Sequence, residues 1–170
     1  DNRNYSYYKR VFVGALRAVD FITSLPQYNG KALGVTGSSQ GGALSMVTAA
    51  LDKRVTFYAA IHPAMCDHRA HLQKVAGGWP HYFYYFPTPT PQRIQTADYY
   101  DMVNFARRIT VPGWFSWGYN DDVCPPTSTY AAYNSITAPK ELHPYLETGH
   151  YWYQEQYEQW SQWLWAQMGL

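Results

Sequence analysis

The chain has 170 residues, enough for one compact domain with its own hydrophobic core. Its 13 basic and 12 acidic residues leave a formal net charge of +1 and are scattered without runs, which excludes a footprint for nucleic acid or an anionic membrane and points to a neutral small-molecule partner. No apolar stretch reaches the roughly 18 residues of a membrane span, and DNRNYSYYKR at the start carries no signal-peptide core, so the chain as given reads as soluble, with its compartment left open.

RVFVGALRAVDFITSLP places Phe12, Leu16, Val19 and Ile22 on a three-to-four residue repeat, an amphipathic helix stopped by Pro26 and YNGK. KALGVTG follows as a short apolar strand ending in glycine, and helical spacing returns with Ala43, Met46, Val47, Ala50 and Leu51. A second strand is predicted in VTFYAAIHP, then an irregular, aromatic and proline-rich insertion from about Asp67 to Thr96, then a third strand in ITVPGWFSWG. PPTSTYAAYNSI reads as a helix after its prolines and KELHPYLE as a last strand. The terminal helix carries Tyr153, Tyr157, Trp160, Leu164 and Met168 on one stripe. Strands alternating with helices predict a doubly wound α/β fold: a mainly parallel sheet in one domain, with helices on both faces. The aromatic content of 18% is high for such a domain, and core packing accounts for most of the rings.

LGVTGSSQGGALS, residues 33–45, sets Gly37, Ser39 and Gly41 in a G-x-S-x-G frame between a predicted strand and a predicted helix, the setting of a nucleophile elbow. Ser39 is the candidate nucleophile and Ser38 is not, because the sharp turn strains the central residue and side chains two positions away on either side would collide with backbone. The N–H of Gln40, at the helix start, is the expected oxyanion donor. An elbow serine needs a histidine base and a carboxylate to orient it, in the chain order serine, acid, histidine. SWGYNDDVCPP and YLETGHYW supply them just after the third and fourth strands, where strand ends deliver loops to the edge that carries Ser39. His150 is the base. Asp121 is preferred to its neighbour Asp122 as the acid, and Glu147 lies too close to His150 in a short loop.

The remaining chemistry-bearing residues read as structural. Cys66, His68 and His71 form a C-x-H-x-x-H string that lacks a fourth ligand, so no metal is expected. His62 closes the second strand, His81 packs within the insertion, and His143 lies in the last strand facing a helix-covered side. Asp20, Asp52 and Asp98 are solvated or capping residues. Cys66 and Cys124 are either free or one disulfide.

VTGSSQGGALSMVTAALDKRV, YYDMVNFARRITVP, DDVCPPTSTYAAYN and PKELHPYLETGH together resemble the acetyl xylan esterase and cephalosporin C deacetylase family of carbohydrate esterases, almost end to end. The resemblance implies an α/β-hydrolase fold, with Ser39, Asp121 and His150 as the catalytic triad and Asp122 outside it. It also implies removal of acetyl groups from short xylo-oligosaccharides or similar esters through an acyl-enzyme, with no cofactor, and a homo-oligomer in the full-length protein. The aromatic segment PAMCDHRAHLQKVAGGWPHYFYYFPTPTP departs most from the family pattern. The family's second oxyanion donor sits upstream of anything in this sequence, so the 170 residues read as the C-terminal half of the fold. Two rival readings stand beside this one: a serine peptidase or other acyl hydrolase of the same fold, and a silent carbohydrate-binding or assembly module.

Overall fold

The computed structural model describes residues 2–170. Four parallel strands form one sheet in chain order: β1 (Gly34–Ser38), β2 (Phe57–Ile61), β3 (Gly113–Gly118) and β4 (Lys140–Tyr145). Among the described residues seven α-helices accompany them: α1 (Tyr7–Ser24), α2 (Gln40–Leu51), α3 (Tyr82–Tyr85), α4 (Pro91–Tyr99), α5 (Met102–Ala106), α6 (Pro126–Asn134) and α7 (Gln154–Met168). None of them is long and apolar enough to cross a membrane.

Alternation along the two central strands assigns their faces. Tyr58 and Ala60 of β2 and Phe115 and Trp117 of β3 enter the larger core, with Phe12, Met46, Val47, Met102 and Ala132 from the helices. Their neighbours Phe57, Ala59, Ile61 and Trp114 turn the other way and meet Trp163 of α7. Both strands are buried at every position, as expected where helices cover a parallel sheet on two sides. The register sets Ser38 beside Ile61 and Ile61 beside Ser116, so the strand ends lie in one row.

Local chemistry sets the helix limits. Ser6 caps α1 by accepting the Tyr8 N–H, and the helix stops at Ser24, one residue short of the Leu25–Pro26 pair. Pro126 opens α6, where a missing N–H costs nothing, and Gly169, with φ of 74°, closes α7.

Two expectations change, and one open alternative closes. The insertion is more regular than its prolines suggest, because it holds a 3-10 turn at Ala70–Gln73, all of α3 and the start of α4, with α5 just beyond. Asp101 explains part of that order: buried, it accepts the N–H groups of Asp67, His68 and Val103 at 3.0, 2.7 and 2.9 Å and ties the loop to α5. The stripe on α7 is rotated, for Gln156 and Trp163 are buried whereas Tyr153, Tyr157 and Met168 are exposed. Cys66 and Cys124 are buried free thiols, not a disulfide.

Candidate active site

The β1–α2 junction has the strain an elbow requires. Ser39 stands between the two elements with φ of 54° and ψ of −118°, a conformation L-residues rarely adopt and which costs about 1–3 kcal/mol. Three backbone hydrogen bonds hold it there: its N–H donates to Ile61 at 2.9 Å, and its carbonyl accepts from Ala43 at 3.1 Å and Ala64 at 3.0 Å. Gln40 opens α2, so its N–H has no intrahelical partner.

Glycine matters here less symmetrically than the frame suggests. A Cβ on Gly37 would lie 2.4 Å from the Gly41 backbone, a clash no rotamer relieves, whereas a Cβ on Gly41 would meet nothing within 4 Å. The second constrained position is Gly42, whose Cβ would come within 3.0 Å of the Ile61 carbonyl.

The loops after β3 and β4 bring the acid and the base together. Asp121 is buried; its Oδ1 accepts the N–H groups of Val123 and Cys124 at 2.9 and 2.7 Å, which aims Oδ2 at His150 Nδ1, 2.8 Å away. That hydrogen bond fixes the ring and leaves Nε2 as the basic nitrogen. Asp122 and Glu147 are exposed and take no part. The side chain of His150 is 24% exposed, so the pair is open to solvent on one side.

Ser38 and Ser39 have different surroundings. The Ser38 hydroxyl contacts His62 Nε2 at 2.6 Å and accepts the Trp152 indole N–H at 3.2 Å, while the backbone of Ser38 remains in β1. The Cys124 thiol neighbours Ser39, and burial pushes its pKa up to about 12, so that thiol stays protonated and unreactive. His62 resembles a base for Ser38, yet no carboxylate orients it: its Nδ1 is buried without a partner among the described residues.

His62 is the site residue that the sequence reading passed over. It follows β2 directly with φ of 30°, is 2% exposed, and lies against His150 with ring centroids 4.2 Å apart and planes tilted by 43°. Burial first, and the adjacent His150 second, lower its pKa to about 4, outweighing the opposite pull of Asp121 and keeping the ring neutral. The available signal was position, since IHP ends a strand at the sheet edge where ligands gather.

The other predicted structural residues lie elsewhere. His68 is buried against Tyr82, and His71 and His81 pair at 3.4 Å within the insertion. His143 stacks on Trp114, on the face covered by α7. Asp20 and Asp52 pair with Arg54, and Asp98 with Arg69.

The acetyl xylan esterase family model matches residues 1–167. The chain is 54% identical over 141 residues to acetyl esterase Axe7A of Xylanibacter ruminicola, covering 83% of this chain and 32% of that protein. An acetyl xylan esterase from Paenibacillus sp. R4 superimposes with a TM-score of 0.87 at 30% identity, over 97% of this chain and 54% of its own. Acetyl xylan esterase 1 from Thermoanaerobacterium sp. JW/SL YS485 does so with 0.86 at 27%, over 98% and 55%. The chain thus spans about a third of the length of Axe7A and about half that of the two solved esterases.

Proposed function

The chain belongs to the acetyl xylan esterase family, and on that premise we propose that it is a serine esterase that removes acetyl groups from acetylated xylo-oligosaccharides or similar small neutral esters. Ser39 is the nucleophile. His150 Nε2 takes its proton as Oγ attacks the acetyl carbonyl, and the buried Asp121 carboxylate stabilises the imidazolium that forms. The oxyanion develops at the start of α2, where the Gln40 N–H donates to it. His150 then protonates the departing sugar oxygen, and a water activated by the same nitrogen releases acetate from the acyl-enzyme. No step calls on a cofactor.

The observation that carries this reading is the 2.8 Å bond from His150 to a carboxylate locked by two backbone N–H groups, at the same sheet edge as a strained serine. The buried Asp101 accepts only backbone N–H groups, whereas Asp121 keeps its second oxygen for an imidazole, as a base-orienting acid does. On the same reading the 170 residues are a single domain corresponding to the C-terminal portion of the hydrolase fold, consistent with a four-stranded sheet and the share of each solved relative it spans.

Release of p-nitrophenol from its acetate ester tests the assignment. Ser39→Ala abolishes turnover and labelling by a fluorophosphonate, while Ser38→Ala retains both. Asp121→Asn lowers kcat by about 10⁴ through the wrong imidazole tautomer, and Asp122→Asn leaves it within a few-fold. Equal losses at the two aspartates, or labelling that follows Ser38, would refute the assignment.

A further inference from the structure

His62 has no place in that mechanism, and its surroundings leave it chemically incomplete. One ring nitrogen, Nε2, is engaged by Ser38 Oγ at 2.6 Å; the other, Nδ1, is buried with no partner among the described residues. The ring is 2% exposed, so water does not satisfy that nitrogen from bulk. Ser38 Oγ can accept both the Trp152 indole N–H and an N–H from His62 Nε2, and in that tautomer Nδ1 presents a bare lone pair. An imidazole that donates one N–H to an oxygen and offers the other nitrogen is the arrangement that orients histidine ligands in metal sites.

Two more donors stand beside it. Ligating atoms of His62, Asp121 and His150 all lie within 4.8 Å of one another, on three different loops. Two donors of a tetrahedral Zn²⁺, each about 2.0–2.2 Å from the ion, are roughly 3.4 Å apart. Opening the 2.8 Å contact between Asp121 and His150 and closing on His62 therefore requires side-chain shifts on the order of 1 Å. The two imidazoles and one carboxylate suit a borderline-soft ion, and the exposed side of His150 gives it access.

We propose that His62, Asp121 and His150 form a chelating site for Zn²⁺, and that its occupation reversibly switches off the esterase. Zn²⁺ takes the place of the proton between His150 Nδ1 and Asp121 Oδ2. That proton moves to His150 Nε2, the nitrogen that would otherwise accept the Ser39 proton, so the base is blocked while the fold stays intact. The binding half stands on geometry alone; the inhibitory half rests on the serine esterase reading above.

Isothermal titration of Zn²⁺ into the 170-residue chain, with Mg²⁺ as the hard-ion control, tests binding. The expected result is one Zn²⁺ per chain and no Mg²⁺ uptake, with affinity falling at least about tenfold in His62→Gln, which keeps a partner for Ser38. Should that variant lose its cooperative thermal transition, Asp121→Asn replaces it and must show the same loss. Absence of Zn²⁺ binding overturns the site, as does binding that survives both substitutions or that disappears in His81→Asn, which would locate the ion on the His71–His81 pair. In the p-nitrophenyl acetate assay Zn²⁺ inhibits over the range in which it binds, and EDTA restores the rate. Stimulation by Zn²⁺, or binding without inhibition, overturns the switch. A chain that binds Zn²⁺ through His62 but shows no metal-free esterase activity retains the site and refutes the esterase reading instead.

Discussion

His68 shows how a single residue can tie the aromatic insertion to pH. It is buried with neither ring nitrogen bonded among the described residues, faces Tyr82, and has Asp67 and Asp98 as its charged neighbours, while its backbone N–H is held by Asp101. Burial lowers its pKa from 6.5 to about 4, more than the two aspartates raise it. The folded state therefore binds a proton less readily than the unfolded chain. Nothing is lost above pH 6.5; as pH falls from there towards 4 the unfolded state gains protons that the folded state refuses, and stability declines by about 3 kcal/mol. His68→Leu removes the group that titrates. Urea midpoints followed from pH 7.5 to 4 should fall less steeply in the variant, and parallel profiles would mean that another group carries the acid sensitivity.

At the scale of elements, legibility followed chemistry that acts over a few residues. The strained turn at Ser39 was readable because Gly37 answers to a clash with Gly41 backbone only four residues away in the chain, and the Asp121 turn because its Oδ1 bonds the residues two and three positions further on. The four strands followed from apolar runs separated by helical spacing. What escaped depends on contacts distant in sequence. The proline-rich insertion folds because Asp101 reaches back across more than thirty residues, and the position of His62 against His150 joins β2 to the loop after β4. Helix α7 failed for a related reason: aromatic periodicity ranks Tyr157 and Met168 as core, yet the helix turns a glutamine inward. Gln156 is fully buried, donates to Ser116 Oγ at 2.5 Å and accepts the Tyr153 N–H at 3.2 Å, so it joins the helix start to the centre of the sheet. Gln156→Ala removes both hydrogen bonds and opens a cavity, leaving Ser116 Oγ with only its bond to the His143 carbonyl, and should cost about 2–4 kcal/mol, whereas Met168→Ala should remain within about 0.5 kcal/mol. Chemical denaturation of the two variants checks this, and a larger loss at Met168 would restore the aromatic stripe as the packing face.

On the esterase reading, the Asp121–His150 pair stands at one end of the sheet and the described residues offer the Gln40 N–H for the oxyanion. In α/β-hydrolases the second donor comes from a loop that follows a different strand from the one leading into the elbow. In this chain β1 leads into the elbow and pairs only with β2, so none of the described strands lies on its other side to deliver such a loop. The solved esterases it resembles are nearly twice as long. Nucleophile activation and oxyanion binding are separable contributions, and removing one donor costs about 10² to 10³ in turnover. The 170-residue chain should therefore react with a fluorophosphonate at Ser39, because that step tests the activated hydroxyl, yet turn over p-nitrophenyl acetate some 10² to 10³ more slowly than a full-length solved relative that supplies both donors. Equal turnover by the two chains would show that residues 2–170 supply the second donor themselves, and the loop after β2, whose Ala64 N–H already reaches the Ser39 carbonyl, would be the first place to look for it.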